Sequence, residues 1–592
     1  MYPLEGCLGR FEEFMTGPGP RRVAGALLVW GVVALVVLRF HEHIATRLNL
    51  PPWSVAVALG IGFPVSVALG WRFGGSRARS GAPTRSGTPT AGAPGLAVLV
   101  LLGFAAAAPG LVYFFAWPEV TREPALPAGV PSVAVLPFTD MSPSKDQEYF
   151  ADGVAEEILN SLAQVEGLRV AGRTSSFAFK GKGEDLSTIA RKLRVKSVLE
   201  GSVRKEGNRV RITAQLVNAA EGYHLWSRTF ERDLSDVFAV QDDIARAVAE
   251  ALQVRLQPTW ETSIRGRRTA SPDAHEHYLR AVLLLGRYRL RETMQAQAEL
   301  GQAVELDPGY GLAWSELAAT WALLSDWATP AEQPGLQRRA MEAADKGVEL
   351  APDQADTWAR RGLLRMQVAW DWGGAVGDID RALAINPRDV SANEARSRLL
   401  AVRGQIPEAI AMANRVVSID PLSLSGWLRL HALQVARGDP ARAREALAQA
   451  EAVSPASYQV IVLRARAELD AGRPASALTL ARRPEVPEDS RFLLTALALH
   501  ALGRADDSAR ELELLSGGYA DTEAYQIAEA HAGRGDGERA FEWLERAWRQ
   551  RDGGLVGVLP WVSPVKWNPA FRGLHGDPRF TALLGKLNLP AD

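Results

Sequence analysis

The sequence predicts a multi-domain chain: three transmembrane helices, a small mixed α/β domain, and an all-α solenoid of helix pairs. Three observations carry that reading. Long apolar, charge-poor stretches are confined to the start of the 592 residues. A middle segment mixes short β-branched runs with amphipathic ones. Prolines and glycines then recur at a nearly constant interval towards the end of the chain.

The apolar stretches cover residues 23–40, 53–71 and 95–117. Each approaches the roughly 20 residues that cross a hydrocarbon core at about 1.5 Å per residue. Trp53, Trp71, Tyr113 and Trp117 stand near their ends, where amphipathic rings favour the membrane interface. Pro64, with Gly60 and Gly62, leaves the second stretch open to a re-entrant reading. Arg10, Arg21, Arg22, Arg72, Arg77, Arg79 and Arg85 would lie on one side, and Arg39, Arg47 and Arg122 on the other. Seven cations against three place the amino terminus and the 72–94 loop in the cytoplasm. The expectation is a multi-pass bacterial inner-membrane protein with the lipid bilayer as a partner and everything after Trp117 periplasmic. The expected divisions are a cytoplasmic tail (1–22), an anchor (23–117) with a flexible Gly/Ser/Pro-rich loop, and an α/β domain (130–257). A solenoid (273–550) and a capping segment (551–592) complete them.

Ser132-Val-Ala-Val-Leu-Pro137 reads as a buried strand, because it is short, apolar and β-branched. Val154, Ile158, Leu159, Leu162 and Val165 recur at helical spacing. A strand at 168–170 and a helix at 186–193 follow, then strands at 195–204, 209–217 and 223–230. Glu206-Gly207-Asn208 and Ala220-Glu221-Gly222 supply hairpin turns, since Gly and Asn accept positive φ. Arg209, Arg211, Thr213 and Gln215 alternate with Val210, Ile212, Ala214 and Leu216, which gives that strand one polar face. With a last helix over 234–252, the order β-α-β-α-β-β-β-α implies a mixed sheet covered by helices.

The runs Ser132–Phe138 (SVAVLPF), Tyr149-Phe-Ala-Asp-Gly153, Arg173-Thr-Ser-Ser176, Leu199-Glu-Gly-Ser-Val-Arg204 and Gln215-Leu-Val217 carry a resemblance. This segment resembles the TolB-like amino-terminal domain. In bacterial membrane proteins of that family the domain commonly stands between a membrane span and tetratricopeptide repeats. TolB itself continues into a β-propeller, and no blade repeat follows here, so its colicin and Pal roles are not implied.

Helix-ending prolines fall at 308, 352, 387, 421 and 455, spaced by 44, 35, 34 and 34 residues. A period of about 34 is that of tetratricopeptide repeats, and an insertion near 326–335 accounts for the longer first interval. Glycines at 404, 438, 472, 503 and 535 are each followed five residues later by Ala409, Ala443, Ala477, Ser508 and Ala540. Gly supplies a left-handed cap to the first helix, and the small residue lets the second helix pack close. About eight repeats fit before Gln550, and a capping helix is expected around Phe580, Leu583 and Leu584. Trp314, Trp358 and Trp427 each stand six residues after a repeat proline, a position better suited to packing than to ligand contact.

The chemistry expected is that of binding. With 67 Lys+Arg against 68 Asp+Glu, the net charge is −1, so the global basic surface that nucleic acid selects is absent and no nucleic-acid partner is expected. Cys7 is the single cysteine, which excludes an intrachain disulfide and a four-thiolate metal site. Gly181-Lys182-Gly183 lacks the phosphate-loop spacing, and there is no G-x-S-x-G or H-E-x-x-H motif. His41 and His43 lack a third ligand, and His275 and His277, two apart on a helix, face different ways. Arg173, Ser175 and Ser176, at a strand end, are the candidate anion or ligand contact. The expectation is therefore no enzyme, no cofactor and no metal. It is a scaffold that holds a protein partner on the concave repeat face. The alternative is a sensory subunit: proteins carrying the resemblance join such domains to a cyclase or a DNA-binding output. A 22-residue tail is too short for one, so a separate output partner would be needed.

Overall fold

The computed structural model describes residues 130–257, 260, 269–286, 289–329, 331–557 and 559–590. The expected tail and the three apolar stretches lie outside them. Among the described residues, no helix is long and apolar enough to cross a membrane. That finding corrects the expected fold class, which included three transmembrane helices, and the multi-pass inner-membrane location derived from them. Neither is carried further. The architecture is an α/β domain joined to a helical repeat array.

The α/β domain is built on β1 (Ser132–Val135), β2 (Thr139–Asp140), β3 (Arg169–Val170), β4 (Ser197–Glu206), β5 (Arg209–Asn218) and β6 (His224–Asp233). The sheet order is β3-β1-β4-β5-β6, with β2 also pairing β4. β1 pairs parallel with β3 and β4, whereas β4, β5 and β6 form an antiparallel meander. Both faces of β1 are covered, so all four of its residues are buried and the three after Ser132 are apolar. Val133 and Val135 pack under α1 (Glu148–Ala163) and α4 (Val237–Ala251), while Ala134 meets α3 (Leu186–Leu193) through Ile189 and Leu193. Along β5, Val210, Ile212, Ala214 and Leu216 are buried while Arg209 and Arg211 are exposed, as the alternation requires. Two elements were not legible in the sequence: β2, and the single turn α2 (Arg173–Phe177).

Eight helix pairs follow among the described residues. Their first helices are α5 (Pro272–Leu285), α7 (Gly311–Asp326), α9 (Ala355–Leu364), α11 (Val390–Val402), α13 (Leu424–Arg437), α15 (Tyr458–Asp470), α17 (Glu488–Ala501) and α19 (Ala524–Gly533). The second helices, α6 to α20 in even numbers, run from Leu290–Leu306 in the first pair to Gly537–Gln550 in the last. The glycines at 404, 438, 472, 503 and 535 all have φ between +70° and +89°, the left-handed cap their spacing predicts. The long second repeat absorbs its extra residues in longer helices, with 16 residues in α7 and 18 in its partner α8 (Gln333–Leu350).

Three tryptophans share one role. The indole N–H groups of Trp314, Trp358 and Trp427 donate to the carbonyls of Pro308, Pro352 and Pro421 at 3.0, 2.9 and 2.8 Å. Asn393 stands at the same position of the fourth repeat, and its Nδ2 donates to Pro387 O at 3.1 Å. Each bond satisfies a carbonyl at a turn where proline has ended the preceding helix. The recurring position therefore holds turn to helix.

The α/β domain and the array share a core. One hydrophobic cluster runs from Val133, Phe150 and Ile158 through Trp260 to Leu279, Leu300 and Tyr310 of the first repeats. Gly153 on α1 lies so close to α5 that an added Cβ would stand 2.5 Å from Leu279 Cδ2, and a larger residue there would have to displace the Leu279 side chain.

Candidate functional site

Arg173, Ser175 and Ser176 sit together on α2, just after β3. Ser175 and Ser176 are fully buried, and the Arg173 guanidinium pairs with Glu156 of α1 at 2.6 Å. The short helix is docked on the turn between the fourth and fifth repeats. Ser175 N donates to Asp420 Oδ1 at 2.7 Å, Leu422 N donates to Ser175 Oγ at 2.7 Å, and Gly172 N donates to Ile419 O at 3.0 Å. An added Cβ at Gly172 would lie 2.6 Å from Asp420 Cβ. The anion that Ser175 meets is thus a carboxylate of the same chain, Asp420, while Arg173 is engaged by Glu156. Burial pushes the Asp420 carboxyl above its usual range, and the bonds from Ser175 oppose that shift.

His275 and His277 diverge, as two residues on one helix must. His275 is buried beside Tyr310, whereas His277 Nδ1 lies 2.6 Å from Glu299. His41 and His43 lie outside the described residues. Among the described residues no group of three or more His, Cys, Asp or Glu side chains could hold a metal ion.

The larger constellation is the face made by the first helices, which lines the concave side of such an array. Here the chain's own carboxy-terminal segment is seated on it. After the turn Gly553–Val556 the backbone crosses α13, where buried Arg429 donates through Nη2 to Gly557 O at 3.2 Å and Leu559 O at 3.0 Å. Trp561 meets Tyr458 of α15 edge-on at 6.0 Å. Tyr525 of α19 donates its hydroxyl to Ser563 O at 2.7 Å, and Trp567 Nε1 donates to Ala401 O of α11 at 3.0 Å. The terminal helix α21 (Pro578–Lys586) then packs Phe580, Leu583 and Leu584 into a cluster with Trp370, Trp372 and Ile379 of the third repeat and Tyr525 and Leu544 of the eighth. Trp372 Nε1 closes it on Leu587 O at 2.9 Å. The segment ties the last repeat back to the third.

Arg429 has no signature in the sequence beyond being a charge inside the apolar run Leu428-Arg-Leu430. Burial lowers its pKa to about 9, with Arg398 nearby adding to the shift and Glu394 opposing it. A buried guanidinium spent on two main-chain carbonyls recognises backbone without reading any side chain; here that backbone is a turn, with Gly557 left-handed. Arg466 of α15 and Glu529 of α19 form a second buried contact across the same face, an ion pair between non-adjacent repeats.

By fold, then, this is a protein of helix-pair repeats of the tetratricopeptide type, an architecture of protein–protein interaction scaffolds, with an α/β domain docked on the first repeats and on the turn between the fourth and fifth. Residues 129–247 match the family described as the second domain of the HilA/YgeH-like transcriptional regulators. The chain is 40% identical over 234 residues to a protein of Rhizobium meliloti named "Putative adenylate cyclase 3", covering 38% of this chain and 40% of that one. It is 29% identical over 119 residues to a TPR repeat-containing protein of Rhizobium etli, covering 20% of this chain and 51% of that one. The chain thus spans about half or less of the length of these curated relatives. A solved tetratricopeptide repeat protein from Parabacteroides merdae aligns with 45% of this chain and 99% of its own, at 15% identity and a TM-score of 0.33. The repeat assignment rests on the helix pairs and their period. The expectation that the chain is not an enzyme is corrected by the first relative, whose name is that of an enzyme.

Proposed function

We propose that the chain is a protein-interaction scaffold whose concave repeat face recognises polypeptide through its main-chain carbonyls, and that its carboxy-terminal segment is the occupant in cis. The observation that carries this reading is Arg429 donating to the carbonyls of residues 557 and 559. Ser175 serves on this reading as the lock between the α/β domain and the array, with Asp420 as its anion, and Arg173, paired with Glu156, holds the short helix on α1. The likeness of residues 130–257 to a TolB-like domain belongs to the same proposal. The test is competition. A labelled peptide of residues 553–568 should bind the full chain more tightly once Trp567→Ala loosens the resident segment. Adding Arg429→Met should then weaken that binding about tenfold, the loss of ~1.4 kcal/mol. No binding by the loosened chain would sink the reading.

A second reading is favoured by the names of the relatives. The match to a cyclase-named protein and to a transcriptional regulator's domain supports a role in signalling, with the chain as a sensory or regulatory part that acts through an output protein. Its check is cyclic AMP formation from ATP by the full chain alone. Turnover would make the chain itself the enzyme. Absence of turnover would leave the regulatory role, to be pursued by reconstitution with a cyclase partner.

A further inference from the structure

A cavity of about 130 Å³ lies where the α/β domain meets the first repeat, walled by Phe150 of α1, Val237 and Phe238 of α4, and His275 and Glu276 of α5, with Ala270 beside it. Engineered apolar cavities of about 150 Å³ hold benzene. This one is not wholly apolar. His275 is 3% exposed; its Nδ1 faces the Tyr310 hydroxyl at 3.3 Å, and its Nε2 is buried with no hydrogen-bond partner among the described residues. A buried polar atom left unpaired is costly, so a group that fills the cavity and pairs with Nε2 would recover that loss. The Phe238 ring stands 4.6 Å from the imidazole, centre to centre, and gives an aromatic wall beside that nitrogen.

We propose that this cavity binds a small neutral aromatic molecule with one hydroxyl or ring nitrogen, its ring against Phe150 and Phe238 and its polar atom on His275 Nε2. Charge selects for neutrality. Burial lowers the His275 pKa to about 4, so the imidazole offers no cation to an anionic ligand at neutral pH. The Glu276 carboxylate would repel an anion, yet it is already engaged by Tyr149 at 2.7 Å, Lys205 at 2.8 Å and Arg280 at 2.5 Å, and leaves little for a cation. A hydroxyl meets either imidazole tautomer, because it both donates and accepts.

Phenol and benzene, titrated into the full chain by calorimetry with ligand-observed NMR, test the assignment. Phenol is expected to bind at least tenfold more tightly than benzene. His275→Phe is expected to reduce that preference to twofold or less. Ala270→Trp, at an exposed position where substitution is expected to leave the fold intact, is expected to block both probes and stands as an independent arm if His275→Phe misfolds. Failure of phenol to bind the native chain, equal binding of the two probes, or undiminished binding by Ala270→Trp would each overturn the proposal.

Discussion

Asp420, at the turn between two repeats, accepts the backbone N–H of Ser175, 245 residues earlier, at 2.7 Å, and the Ser175 hydroxyl in turn accepts the N–H of Leu422 at 2.7 Å. The two residues close a reciprocal pair between the α/β domain and the middle of the repeat array. That junction holds the array at a point far from the covalent link between domain and first repeat.

The pair should be visible in stability. Asp420→Ala leaves the buried Ser175 N–H without its acceptor and is expected to cost about 1–3 kcal/mol. Asp420→Asn keeps an acceptor and should cost less than about 1 kcal/mol. Urea denaturation of the two variants, compared at unchanged m-value, checks the difference.

Arg429→Met keeps the apolar stem and removes both bonds to the carboxy-terminal segment. Hydrogen bonds to a charged group contribute roughly 1.5–3 kcal/mol. Amide exchange through residues 557–565 should therefore quicken well before exchange in α1 or β4 changes. Uniform loosening of the whole chain would contradict a local role for Arg429.

Trp427→Phe tests the repeated turn bond. It retains most of the buried ring and loses the indole N–H to Pro421 O, so a cost of about 1 kcal/mol is expected. Asn393→Ala removes the equivalent bond to Pro387 and should cost a similar amount, about 1 kcal/mol. Thermal unfolding of both, against a surface control such as Arg444→Ala, gives the comparison.

Two groups set opposite pH dependences. Burial, with Asp552 and Asp489 nearby, raises the Glu523 carboxyl to about 8. The folded chain holds that proton after the unfolded chain has released it, so the stability it brings is complete below the ordinary glutamate range and lost as pH rises through about 8. Glu523→Gln should flatten that decline. His275, lowered by burial to about 4, acts in the other direction: stability is complete above the ordinary histidine range and falls as pH drops towards 4. Tm measured from pH 4 to 9 in the native chain and Glu523→Gln separates the two.

The sequence by itself determined the local elements of the described region. The alternation along β5, the β-branched run of β1 and the proline and glycine ladders each report a backbone constraint set by residues close in the chain. The left-handed glycines at 404 and 438 were legible for that reason, and so was the grouping of Trp314, Trp358 and Trp427 as packing. Three apolar stretches spoke equally clearly for membrane helices, and the described residues contain none. What only the tertiary structure decided lies between distant residues. Arg173, Ser175 and Ser176 were readable as a candidate anion contact, but nothing local shows that Ser175 meets Asp420 and Arg173 meets Glu156. Arg429 sits in an apolar helix with no spacing to mark it, and its meaning comes from carbonyls 128 and 130 residues away. The concave face was legible as a place for a polypeptide. That the chain fills it with its own last segment depends on how the eighth repeat meets the third, a closure set by side-chain packing that no short-range pattern encodes.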